Sequence, residues 1–63
     1  MPLISIRLVQ GRSEPELSQL VREVSHAAAH SLDVPVERVT VHLFELEPSR
    51  IGRGGRLASE PPS

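Results

Sequence analysis

Pro2 directly follows Met1, and that juxtaposition can create a group that no other residue supplies. Methionine aminopeptidases remove an initiator Met that precedes a small side chain, and proline qualifies. The freed nitrogen is a secondary amine, whereas an internal proline nitrogen is a non-basic amide. An unperturbed α-amine titrates near ~8, and burial among apolar groups disfavours its charged form and lowers that value. Such an amine can accept and return a proton near neutral pH. The plain structural alternative is a proline opening a first strand, where its missing N–H does no harm.

Arg12 is the second residue with chemical promise. It stands in Gly11-Arg12-Ser13, where an apolar alternation gives way to a helix start. A helix N-terminus favours anions, and a cation beside it adds to that preference. An anion site and an exposed loop arginine both fit this spacing. Other clusters carry less. His26 and His30 share a helix face at metal-ligand spacing, but no third ligand is evident, and two exposed histidines are the better reading. Gly52-Arg53-Gly54-Gly55 lacks the Lys-Ser/Thr and the following helix of a phosphate loop; a hairpin needing positive φ explains its glycines. Glu45 and Glu47 read as solvated carboxylates at a strand end rather than as a paired acid and base. No metal or cofactor site is expected.

The elements that must position these residues follow from periodicity. Pro2 to Val9 reads PLISIRLV, with Ile4, Ile6 and Leu8 on one face and Ser5 and Arg7 on the other, which is the period of a strand. Ser13 with Glu16 three residues on forms a capping box, and Pro15 is tolerated in a first turn. Leu17, Leu20, Val21, Val24, Ala27, Ala28 and Leu32 then recur at helical spacing, predicting an amphipathic helix from Glu14 to Leu32. Asp33 and Pro35 end it. Arg38 to Leu46 reads RVTVHLFEL and predicts a second strand. The long segment between the strands suits a helical crossover, so the topology expected is β-α-β with parallel strands. Pro48-Ser49-Arg50 predicts a turn, Ile51 to Leu57 a glycine-rich hairpin, and Ala58 to Ser63 a frayed or partner-docked tail. One domain over residues 1–63 is expected.

Composition bounds the rest. A chain of 63 residues buries only ~60% of its unfolded surface. Small domains are therefore usually stapled by disulfides, a metal or a partner subunit. Cysteine is absent, which removes disulfides, fits a reducing cytoplasm and leaves assembly as the source of stability. The net charge is −1 and Phe44 is the one aromatic residue, a poor endowment for nucleic-acid binding. All seven basic residues are arginine, as bidentate carboxylate recognition would use and as a GC-rich genome would also produce. No segment is long and apolar enough to span a bilayer, and no signal peptide is evident.

Together, Met1-Pro2, the alternating strand, Gly11-Arg12-Ser13, the helix with Leu20-Val21-Arg22-Glu23-Val24-Ser25, the segment Ser31-Leu32-Asp33-Val34-Pro35 and the GRGGRLAS run from Gly52 to Ser59 make a recognisable whole. The chain resembles the 4-oxalocrotonate tautomerase family over nearly its entire length. The resemblance implies an α/β (α+β) subunit that pairs into four-stranded dimers, three of which form a homohexamer. It implies cofactor-free tautomerisation of a small carboxylic acid, a 2-hydroxydienoate or enol-pyruvate type compound of the kind met in aromatic catabolism. Pro2 would be the base and then the acid, and Arg12 the carboxylate clamp. Two positions depart from the family's best-studied members. Thr40 stands where they carry a second arginine, whose charge would be supplied here by Arg38 or Arg53. Ile51 stands where they carry phenylalanine beside the proline. These departures keep rivals in view: a structural subunit of a hetero-oligomer, a small-acid binding module, and a hydratase- or dehalogenase-like member.

Overall fold

The computed structural model describes residues 1–61 of the chain. Strand β1 (Leu3–Val9) and strand β2 (Thr40–Leu46) pair in parallel, from Leu3 opposite Thr40 to Val9 opposite Leu46. Helix α1 (Glu14–Leu32) crosses between them. The alternation works as expected: Ile4, Ile6 and Leu8 of β1 and Val41 and Leu43 of β2 are half-buried on one face. Leu3, Ser5, Arg7 and Val9, with Thr40, His42, Phe44 and Leu46, are exposed on the other.

Ser13 starts the helix as its sequence requires. Its backbone is extended, its Oγ accepts the Glu16 N–H, and the Glu16 carboxylate accepts the Ser13 N–H in return. Asp33 ends it in the left-handed region at φ 54°, with its N–H directed at the carbonyls of Ala29 and His30. Leu17, Ser25 and Ala29 are buried, and Leu20, Val21, Val24 and Ala28 are half-buried. Two residues of the expected apolar stripe are instead exposed. Ala27 lies farthest around the helix from the buried side. Leu32, 58% exposed, outruns the sheet: 19 helical residues span about 28 Å, against about 23 Å for a seven-residue strand.

The second strand begins later than expected. Pro35 leads into a single 3₁₀ turn, Val36–Arg38, closed by Arg38 N–H to the Pro35 carbonyl and Val39 N–H to the Val36 carbonyl, both at 3.0 Å. Pairing with β1 can start only after that turn. Arg38, expected to open the second strand, therefore stands outside β2 in the turn that precedes it.

After β2, a 3₁₀ turn at Pro48–Arg50 leads to the short antiparallel strands β3 (Gly52–Arg53) and β4 (Arg56–Leu57). Gly54 and Gly55 link them with φ of 60° and 80°, the positive pair that a tight hairpin turn demands and glycine supplies without strain. Residues 58–61 of the expected tail fold back on the hairpin: Glu60 N–H donates to the Leu57 carbonyl, and Arg56 reaches the Pro61 carbonyl. Positions 62–63 of that tail lie outside the described residues.

The chain does not close on itself. It extends 48 × 23 × 13 Å with a radius of gyration of 15.3 Å, where a compact chain of this length has about 11 Å. It exposes 5099 Å², against about 4000 Å² for a folded monomer of its mass. Leu3, Val9, Phe44 and Leu46 lie open on the uncovered sheet face, where Arg7 sits over the Phe44 ring at 5.8 Å and His42 meets that ring edge-on. Among the described residues no helix is long and apolar enough to cross a membrane.

Candidate active site

Pro2 sits just ahead of β1, half-buried, and its carbonyl accepts the Thr40 N–H at 3.1 Å. That bond continues the β1–β2 ladder by one step. Met1 before it is 88% exposed, so the peptide bond to Pro2 is accessible. Thr40 and Arg38 lie at this same end of the sheet, Thr40 as the first residue of β2 and Arg38 in the turn that precedes it.

Arg12 lies at the opposite end. The chain leaves β1 through Gln10, whose N–H donates to the Leu46 carbonyl at 2.8 Å, and turns at Gly11 with φ 134°. From Leu3 to Val9 alone, β1 advances about 20 Å, farther than an extended arginine can reach. Ile51 and Arg53 follow the C-terminal end of β2 and so belong to the Arg12 end. The residues expected to form one site thus fall into two groups. Pro2, Thr40 and Arg38 share one end of the strands; Arg12, Ile51 and Arg53 share the other.

Each arginine has a distinct setting. Arg12 Nη1 lies 3.6 Å from Glu16 Oε2, one turn along the helix start. Glu16 is held below its ordinary value of 4.5, first by the Ser13 N–H, then by the Ser13 hydroxyl, and to a smaller extent by Arg12. Arg53 faces Arg56 across the hairpin. Arg56 is diverted to Glu60 and to the Pro61 carbonyl, while no carboxylate pairs with Arg53 or Arg38 among the described residues. Ile51 is half-buried, and its carbonyl accepts the Ala58 N–H at 2.8 Å.

Two shallow grooves flank the helix. One, of about 380 Å³, is lined by Glu14, Leu17, Ser18, Val21, Leu43 and Glu45. The other, of about 390 Å³, is lined by Pro15, Glu16, Gln19, Leu20 and Glu23. Neither contains Pro2 or Arg12. Glu45, read from the sequence as a solvated strand-end carboxylate, is exposed at the rim of the first groove. His26 and His30 are exposed one turn apart on α1. The capping box alone gives Glu16 a role at the helix start and says nothing of Arg12. The spacing of four between Glu16 and Arg12 was the available signal for the ion pair, since such pairs are neighbours on a helix surface.

Comparison with known proteins defines the class. The family model described as "Tautomerase enzyme" matches residues 2–60, beginning at Pro2. The chain belongs to this tautomerase family and is an isomerase of that kind. It is 42% identical over 60 residues to a 2-hydroxymuconate tautomerase of Pseudomonas putida, covering 95% of each chain. Among solved structures it is similar to a heterohexamer 4-oxalocrotonate tautomerase from Chloroflexus aurantiacus J-10-fl, with 35% identity, a TM-score of 0.89 and coverage of 95% of this chain and 97% of that one. It is also similar to TomN, a 4-oxalocrotonate tautomerase homologue in the tomaymycin biosynthetic pathway, with 40% identity, a TM-score of 0.88 and coverage of 92% and 89%. The β-α-β frame with its C-terminal hairpin is therefore the tautomerase fold.

Proposed function

We propose that the chain, as one tautomerase unit over residues 1–63, ketonises 2-hydroxydienoate or enol-pyruvate type acids of the 2-hydroxymuconate kind, working in the cytoplasm without a cofactor. The observation that carries this reading is the 42% identity to a 2-hydroxymuconate tautomerase across 95% of both chains. Loss of Met1 frees the Pro2 amine. Neutral Pro2 takes the proton of the substrate's 2-hydroxyl, the C–O bond becomes a carbonyl, and the conjugated double bond shifts. The Pro2 ammonium then returns a proton to carbon. No proton is gained or lost overall, and nothing is oxidised or reduced. Arg12 holds a carboxylate, which a guanidinium can do with two parallel hydrogen bonds. Arg38 or Arg53 supplies the second cation, Thr40 can donate a hydrogen bond, and Ile51 forms an apolar wall that limits water.

Assembly reconciles this reading with the separation of Pro2 from Arg12. A two-fold axis normal to the sheet, joining edge strands antiparallel, lays the Pro2 end of one copy beside the Arg12 end of its partner. The same pairing removes an open edge, and stacking three such dimers into a homohexamer covers the exposed Leu3, Val9, Phe44 and Leu46.

The test is ketonisation of 2-hydroxymuconate by the purified, Met1-free protein beside Pro2→Ala, with native mass spectrometry of both. The expected result is turnover that falls about 100-fold or more in Pro2→Ala while the oligomer persists. Rates within a few-fold of each other would overturn the mechanism. An intact oligomer without turnover would point instead to a different acid substrate or to a subunit that needs a paralogue.

A further inference from the structure

We propose that Glu16 is a positioning residue for Arg12, fixing the direction from which a substrate carboxylate is bound. The inference rests on the reading of Arg12 as a carboxylate clamp. Glu16 is held in place independently of Arg12. Its Oε1 accepts the Ser13 N–H at 3.0 Å and the Ser13 hydroxyl at 3.1 Å, while its own N–H donates to Ser13 Oγ at 3.4 Å. Its Oε2 is thereby turned toward Arg12 Nη1 at 3.6 Å. That separation is an ion pair and too long for a hydrogen bond, so Glu16 steers the guanidinium by charge and leaves its N–H donors free. A guanidinium has five such donors, enough to take a carboxylate while staying beside Glu16. Arg12 is otherwise an exposed loop side chain with many rotamers. Glu16 narrows that range before the substrate arrives, which lowers the ordering needed on binding. The Ser13–Glu16 pair therefore has two tasks: it caps α1 and it anchors the clamp.

The two tasks separate by substitution. Glu16→Gln preserves the cap, since glutamine serves at that position of a capping box, and removes the charge that steers Arg12. The experiment measures binding of muconate, a dicarboxylate without the reacting hydroxyl, to the Met1-free assembled protein by calorimetry. The proteins compared are wild type, Glu16→Gln, Arg12→Ala and the double variant, with KM and kcat for 2-hydroxymuconate alongside. Glu16→Gln should raise Kd and KM by about two- to fivefold, the range of exposed ion pairs, with kcat close to wild type and the assembly intact. The effect should fade near ~1 M salt, where screening acts within about 3 Å. In the Arg12→Ala background Glu16→Gln should change nothing further. An unchanged or tighter Kd in Glu16→Gln, with Arg12→Ala clearly weaker, would overturn the positioning role and leave the clamp standing. Unaltered binding in Arg12→Ala, or none in wild type, would overturn the clamp and this inference together.

Discussion

A site divided between the two ends of β1 makes a sharp expectation for mixed oligomers. Pro2 and Arg12 flank a seven-residue strand that separates them by about 20 Å, so the proposed site takes Pro2 from one copy and Arg12 from another. Pro2→Ala and Arg12→Ala are each expected to be severely impaired alone. Unfolded together in equal amounts and refolded, they should form mixed assemblies. A site is intact when one copy carries the native Pro2 and its neighbour the native Arg12. Each condition is met by half of the copies, so about a quarter of the wild-type rate should return. The assay is ketonisation of 2-hydroxymuconate after co-refolding, with each variant refolded alone as the control and native mass spectrometry confirming that both chains share an assembly. Mixed oligomers that remain as inactive as their parents would refute the divided site, because single-chain sites cannot complement.

Other expectations concern stability. Ser13→Ala removes the hydroxyl that caps α1 and should destabilise the fold by about 1 kcal/mol, seen as a lower denaturation midpoint at fixed protein concentration; no shift would show the cap to be redundant. Asp33→Gly should stabilise by about 0.5–1 kcal/mol, because Asp33 occupies left-handed backbone at φ 54° that glycine adopts freely. A lower midpoint would mean that the Asp33 side chain contributes more than its backbone strain costs. Glu16 is held below its ordinary 4.5, so its ionised form favours the folded state. The stability advantage of wild type over Glu16→Gln should be complete above about pH 5 and lost as the pH falls through the lowered value. A gap unchanged at about pH 3 would contradict that linkage.

Local patterns carried most of the fold. The alternation of Ile4, Ile6 and Leu8 assigned a strand and its inward face, and Ser13 with Glu16 marked the helix start to the residue. Gly54-Gly55 announced the hairpin turn. The misplaced start of β2 comes from Arg38 and Val39, which extend the polar–apolar alternation of the strand but stand at the end of the Val36–Arg38 turn and just after it; Pro35 redirects the backbone, and hydrophobic patterning does not register that. Ser25 and Ala29 are buried although neither is strongly apolar, because small residues let the helix approach the sheet closely. Leu32 is exposed for the opposite reason, being apolar but beyond the end of the strands. The site was legible in its parts and not in its arrangement. Parallel strands put Pro2 and Thr40 together, yet the length of β1 keeps Arg12 away, and an arrangement that the proposed function assigns to a second copy leaves no trace in the pattern of one chain.

The central claim is that the nitrogen of Pro2 acts as a free amine. The direct measurement compares two forms of this chain, one retaining Met1 and one lacking it, each verified by intact mass and each shown to be assembled, in ketonisation of 2-hydroxymuconate. The form lacking Met1 should turn over rapidly and the form retaining it should be inactive, because an amide nitrogen cannot take the proton. Equal rates in the two forms would contradict the account.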